Sequence, residues 1–158
     1  MGIIDRLKKE AGWKAREFQY AGIKAHEPEM RKIQEERRDY KYEQRQQEDW
    51  FDTRLFILAE DRASDTLVGF NWLKVHGASR ADERTGEIYV IGVAPDAQGS
   101  GLGRALVVAG LERLARKRFG RAMLYVAADN DAAIGLYRSL GFRLTRTDQA
   151  FTTTIRPA

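Results

Sequence analysis

A strand-forming run, Glu87-Ile88-Tyr89-Val90-Ile91-Gly92-Val93, is followed by Gln98-Gly99-Ser100-Gly101-Leu102-Gly103 and then by a helix-forming run that starts at Leu102. This order of strand, glycine turn and helix constrains the fold more than any other feature of the 158-residue chain. Glycine has no Cβ, so three alternate glycines let the backbone curl tightly and expose successive N–H groups. At a helix start those groups meet the positive end of the macrodipole, which makes the turn a ready anion site. The expected ligand group is a diphosphate. Two familiar phosphate loops do not fit. A Gly-x-Gly-x-x-Gly begun at Gly99 or Gly101 reaches Arg104 or Leu106 in place of its last glycine, and no Gly-Lys-Ser/Thr follows. The pattern that remains is Gln/Arg-x-x-Gly-x-Gly/Ala, carried by Gln98, Gly101 and Gly103.

Length and 43% hydrophobic content suit one well-buried core, so a single domain over residues 1–158 is expected. Without cysteine there is no disulfide framework, thiolate metal site or cysteine nucleophile, and two isolated histidines do not build a zinc centre. A metal-free cytoplasmic protein is expected. No charged-then-apolar leader opens the sequence, and no apolar run approaches the ~20 residues of a membrane helix. The net charge of +4 is unevenly placed. Residues 1–49 hold 12 Lys/Arg and 11 Asp/Glu, whereas 104–146 hold nine Lys/Arg against Glu112, Asp129 and Asp131. A polyanionic cofactor beside the glycine turn accounts for that excess; RNA or an acidic partner would also account for it.

The segment 1–49 is polar and reads as one or two helices, the second from Glu29 to about Asp49 after Pro28. Met30, Ile33 and Tyr40 give it only a thin apolar stripe, so it leans on the domain or on a second subunit. Leu55–Ala59 and Leu67–Val75 read as a hairpin around the turn-prone Asp61–Asp65. The central strand ends at Val93 before Pro95, with Gly92 suggesting a bulge or a close backbone approach. Leu102 to Arg118 reads as an amphipathic helix with Gly120 near its C-cap, and Met123–Val126 as a strand. Asn130 can cap a short helix that Gly141 ends, and Phe142–Thr147 with Ala150–Ile155 read as a closing antiparallel pair.

The pattern at Gln98, Gly101 and Gly103 resembles the coenzyme-A loop of the GNAT superfamily of N-acetyltransferases. Asn130-Asp131-Ala132-Ala133-Ile134-Gly135-Leu136-Tyr137-Arg138-Ser139-Leu140-Gly141-Phe142 resembles that family's Asn-x-x-Ala-x-x-Leu-Tyr-x-x-x-Gly-Phe segment. The resemblance implies an α/β (α+β) GNAT fold, a mixed, mostly antiparallel sheet flanked by helices. The family's first strand has only a weak counterpart in Glu17–Ala21, which leaves that edge absent or supplied by a second copy in a homodimer. From Trp50 onward, Trp50-Phe51-Asp52, Gly69 to His76, Gly86 to Pro95 and Leu124-Tyr125-Val126 are similar to the C-terminal catalytic half of the mycothiol synthase family. Two departures stand against that closer likeness. The family carries another GNAT half ahead of this one, and its His-Pro-Glu-Gln-type segment is represented only by His26-Glu27-Pro28-Glu29.

Acetyl transfer from a thioester to an amine needs a neutral amine, a stabilised oxyanion and a proton for the departing thiolate. The resemblance implies acetyl-CoA as cofactor and Tyr137 as general acid. It sets Ile91, Gly92, Val93, Gln98, Gly99, Ser100, Gly101, Leu102, Gly103, Arg104, Asn130, Ala133, Ile134 and Gly135 along the coenzyme. Lys74, Glu87 and Tyr125 then contact the acceptor. By alternation Glu87 shares a face with Tyr89 and Ile91 and is the best-placed carboxylate to take a proton from the acceptor ammonium through water. The expected activity is acetylation of a primary amine of a small molecule, such as a cysteinyl or amino-sugar conjugate. A protein or aminoacyl-tRNA acetyltransferase and a non-catalytic acyl-CoA-binding module stay open as alternatives. Nucleic acid is the less favoured partner, and no membrane is expected.

Overall fold

A computed structural model describes residues 13–16, 26–33, 48–76 and 84–154. They fall into two compact units, Met1–Tyr125 and Val126–Ala158. The first contains strand β1 (Trp13–Arg16), helix α1 (Glu27–Ile33), β2 (Phe56–Asp61), β3 (Leu67–Val75), β4 (Thr85–Val93), helix α2 (Leu102–Arg116) and β5 (Arg121–Leu124). The strands form one sheet in the order β1-β2-β3-β4-β5. The first three pairings are antiparallel and β4–β5 is parallel. A parallel neighbour needs a crossover, and α2 provides it.

The β2–β3 hairpin forms where its turn chemistry predicts. Asp61 Oδ1 accepts hydrogen bonds from the backbone N–H groups of Ala63 and Ser64, both at 2.9 Å, so the acidic side chain closes the turn. The β3–β4 register runs Gly69↔Val93, Phe70↔Gly92, Asn71↔Ile91 and Trp72↔Val90, then shifts to Leu73↔Ile88 and Lys74↔Glu87. The extra residue is Tyr89. The bulge expected at Gly92 therefore sits at Tyr89, while Gly92 keeps regular register. Opposed residues of an antiparallel pair share a face. Glu87 thus lies on the Lys74, Trp72 and Phe70 face, and Ile91 lies with Asn71 on the other. The expectation that Glu87 and Ile91 share a face fails because the bulge resets the alternation between them.

One face of the sheet carries an aromatic core. Met30, Phe56, Leu58, Leu67, Phe70 and Trp72 are buried together, with Ile33, Trp50, Phe51, Tyr89 and Val90 packed against them. Phe56 stacks on Trp72 at 4.7 Å between ring centroids. Each fully buried side chain of this size contributes roughly 1.5–3 kcal/mol. Met30 anchors α1 to this face, so the thin apolar stripe of the polar N-terminal segment meets the domain. On the opposite face α2 lies close to β3. Asn71 is fully buried, and its Nδ2 donates to the Leu106 carbonyl at 2.9 Å. Gly110 permits that approach, because a Cβ there would stand 2.5 Å from Asn71 Nδ2.

The second unit holds α3 (Asp131–Ser139), capped by Asn130, whose Oδ1 accepts from the Ala133 N–H at 3.1 Å. Gly141, at φ 89°, follows the helix end.

Several sequence expectations change. Trp13–Arg16 is a strand within the segment expected to be helical, and it provides the sheet edge paired with β2. Glu17–Ala21 lies outside the described residues. Helix is described over Glu27–Ile33, and residues 34–47 of the longer predicted helix also lie outside. Helix α2 stops at Arg116, and Arg118, not Gly120, takes the left-handed conformation at φ 61°. Strand β5 starts earlier than predicted and ends at Leu124. Residues 142–154 form no strand. From Arg143 to Thr154 every residue is exposed, Leu144 and Phe151 among them, and the alternating pattern there forms no ladder. Ile155 lies outside the described residues.

Candidate active site

The glycine turn is built by conformation rather than by crowding. Pro95–Ala97 form a short 3-10 turn, after which Gly99 and Gly101 take φ of 76° and 83°. That left-handed region costs other residues roughly 1–2 kcal/mol. A Cβ at either glycine would meet nothing within 4 Å, so the space above the turn is open. Gly101 is the N-cap of α2 and offers no side-chain cap, so the first N–H groups of a 15-residue helix open onto that space. Gln98, Gly99, Ser100, Gly101 and Arg104 are exposed, Gly103 is half-buried, and Leu102 is buried as the hydrophobic root of the helix. Gln98 Nε2 reaches back to the Val93 carbonyl at 3.5 Å, and Ser100 Oγ donates to the Ala97 carbonyl at 2.6 Å. Such a cradle suits a diphosphate.

Strand β4 connects this cradle to a cluster of polar side chains. Its pairing with β5 ends at Ile88↔Leu124, whereas its pairing with β3 continues to Gly69↔Val93. The stretch holding Ile91, Gly92 and Val93 thus runs past the end of the parallel pairing and straight toward the glycine turn. Near the other end of β4, Glu87 is only 5% exposed. Its Oε2 lies 2.7 Å from His76 Nε2, with the His76 side chain 42% exposed. Glu87 is therefore no solvent-facing edge carboxylate; it is a buried acid with a partner.

Lys74, opposite Glu87 in the register, extends over an aromatic wall. Its Nζ is 4.4 Å from the centre of the Trp50 ring and 5.3 Å from that of Tyr89. The two rings in turn pack on Trp72. This is a cation held by aromatic faces, close to a buried carboxylate on the same face of the sheet. An open cleft of about 660 Å³ adjoins it, lined by Asp49, Trp50, Phe51, Asp52, Thr53, Arg54 and Val75. Asp52 caps the 3-10 turn Thr53–Leu55 by accepting from the Arg54 N–H at 2.9 Å. Burial pushes its carboxyl up, but the hydrogen bonds and charge of Arg54, with Lys117, outweigh this and hold it below the usual carboxylate value.

The first unit therefore brings together Lys74 and Glu87, and links Ile91–Val93 with Gln98–Arg104. Tyr125 ends that unit, beyond β5, and is 61% exposed. In the second unit Asn130, Ala133, Ile134, Gly135 and Tyr137 share the start and body of α3. Tyr137 is buried and meets Phe142 edge-on at 5.8 Å. Sequence reasoning did not single out His76 or Trp50 as site residues. The alternation of β3 contained the signal for His76, because residues 72, 74 and 76 share a face. Nothing local in the sequence marks Trp50, which reaches Lys74 from outside any strand.

Residues 22–142 match the family model described as "Acetyltransferase (GNAT) family". The chain is 51% identical over 96 residues to a mycothiol acetyltransferase of Renibacterium salmoninarum, covering 61% of this chain and 28% of that protein. It is also 51% identical over 107 residues to a mycothiol acetyltransferase of Saccharopolyspora erythraea, covering 68% of this chain and 33% of that one. The chain thus spans about a third or less of the length of these relatives. Among solved structures, Arabidopsis thaliana Naa50 in complex with a bisubstrate analogue, CoA-Ac-MVNAL, superposes with a TM-score of 0.71. That match has 20% identity and covers 92% of this chain and 93% of the other, a likeness of fold.

Proposed function

The chain belongs to the acetyltransferase (GNAT) family, and on that premise we propose that it is an acetyl-CoA-dependent N-acetyltransferase that acetylates a primary amine of a small molecule, with a cysteinyl amino-sugar conjugate as acceptor. The observation that carries this reading is one strand, β4, with a buried, partnered Glu87 near its start and an open, uncapped glycine turn after its end. The acceptor class draws its support from the mycothiol acetyltransferase relatives.

Bound acetyl-CoA would supply an acyl group activated as a thioester. The main-chain amides from Gln98 to Arg104 would hold its diphosphate, and Arg104 would add positive charge at the rim. The backbone of Ile91, Gly92 and Val93 would hold the coenzyme's arm as an added strand does, with the Val93 N–H available as a donor to the thioester carbonyl. Glu87 takes the proton of the acceptor ammonium at a carboxylate oxygen, through water, leaving the amine neutral and nucleophilic. Lys74 and Tyr125 orient the acceptor. Tyr137 holds at its phenolic oxygen the proton that the leaving group requires, while Asn130, Ala133, Ile134 and Gly135 belong to the coenzyme's contacts. A cytoplasmic location agrees with this chemistry, and no helix among the described residues is long and apolar enough to cross a membrane.

The test is a screen of acceptors with acetyl-CoA, corrected for hydrolysis, that includes a cysteinyl-glucosamine conjugate, peptides and charged tRNA. Preferential acetylation of the cysteinyl amino-sugar, lost in Tyr137→Phe while CoA binding persists, supports the reading. Preference for peptide or aminoacyl-tRNA amines moves the acceptor to that class. CoA binding without acetylation of any amine leaves an acyl-CoA-binding module.

A further inference from the structure

We propose that His76 is a positioning residue for Glu87 and the exit by which the acceptor's proton leaves the site. The inference rests on the reading of Glu87 as the base. A buried carboxylate that accepts a proton in every turnover must release it before the next one. Glu87 is almost enclosed, with its side chain 7% exposed, so direct exchange with bulk water is poor. His76 supplies the route. Its Nε2 sits 2.7 Å from Glu87 Oε2, within range of a strong hydrogen bond, and its side chain is 42% exposed.

The fold sets this pair. Lys74 lies directly opposite Glu87, and His76 follows two residues later on the same face of the strand line. The His76 N–H donates to the Thr85 carbonyl at 3.3 Å, which carries the ladder past the end of β3 and fixes the ring beside β4. Lys74, on the same face, is directed over Trp50 and Tyr89. Histidine can accept a proton at one ring nitrogen while it gives one up at the other, which suits a relay between a buried carboxylate and water.

The transfer balances. At rest the ring carries its proton on Nε2 and donates it to the Glu87 carboxylate; once Glu87 has gained a proton from the acceptor ammonium, exchange with solvent moves the ring proton to Nδ1 and leaves Nε2 free to accept. Nε2 then takes the carboxyl proton and Nδ1 loses one to water, which restores both the carboxylate and the Nε2–H that holds it. No oxidant or metal takes part.

The experiment uses the full chain, acetyl-CoA, a cysteinyl-glucosamine conjugate and weak buffer, with CoA affinity and melting temperature as controls for folding. His76→Ala should lower kcat by roughly tenfold to a hundredfold with little change in acceptor KM. Added imidazole should restore the rate in a saturable manner, because a diffusible base enters the space left by the ring. His76→Gln, which keeps a donor toward Glu87 but cannot carry a proton, should also lose kcat. Full activity in His76→Gln, or loss in His76→Ala that appears in KM and ignores imidazole, would overturn the relay. If the wild type acetylates neither this conjugate nor any other small amine, the proposed function fails first and the relay falls with it.

Discussion

Ile88 and Leu124 form the last pair that β4 shares with β5, while β4 itself runs on to Val93 and stays in register with β3. Parallel pairing thus stops partway along the strand that leads into the glycine turn. One segment combines a buried acid, a stretch that has left its parallel neighbour, and an open helix N-terminus. Each has an ordinary explanation alone; their order along one strand supports acyl transfer.

Gly101 tests the cradle. Replacing it with alanine puts a Cβ into open space at φ 83°, so the variant should fold with a stability loss of about 1 kcal/mol. The same methyl stands where the diphosphate is proposed to sit. Calorimetry should show CoA affinity falling by roughly tenfold or more, and unchanged affinity would place the coenzyme elsewhere.

Gly110 tests the packing behind the site. A methyl group there would meet Asn71 Nδ2 at 2.5 Å and drive it from the Leu106 carbonyl. Gly110→Ala should cost roughly 1–3 kcal/mol through overpacking and a lost buried hydrogen bond. The urea midpoint reads this directly, and a wild-type midpoint would contradict the close approach of α2 to β3.

Lys74 tests acceptor binding. Lys74→Met keeps the apolar stem over Trp50 and removes the charge. The variant should raise KM for the cysteinyl amino-sugar several-fold, with CoA affinity at the wild-type level. A change confined to CoA affinity would remove Lys74 from the acceptor side.

Asp52 gives a pH dependence with a definite sign. Burial raises its carboxyl, but the bonds and charge of Arg54 and the charge of Lys117 leave the folded value below the ordinary one. The contribution is therefore complete above the unfolded value and is lost as pH falls through the depressed folded value. It is small, because the pair is partly open to solvent and screened. Asp52→Asn should lower the melting temperature slightly near pH 7 and make no difference at strongly acidic pH. An equal loss at both pH values would show that the charge is irrelevant.

Much of the fold could be read locally. Asp61 closing the hairpin, Asn130 capping α3 and Met30 pinning α1 follow from residue chemistry within a few positions, and the glycine turn from its spacing. What could not be read was set by pairing. The bulge depends on how β4 aligns with β3, so Tyr89 takes the extra place expected of Gly92, and Ile91 moves to the far face from Glu87. The edge strand Trp13–Arg16 depends on a partner more than forty residues away, since Trp13 pairs with Asp61. The His76–Glu87 contact joins two strands and shows as a pair only once their register is known.

The most direct measurement of the central claim is an NMR titration of CoA into the isotopically labelled full chain, following backbone amides. The largest shifts should fall on the amides from Gln98 to Arg104 and on those of Ile91 to Val93. Tight binding that leaves these amides unmoved, or no binding, would contradict it.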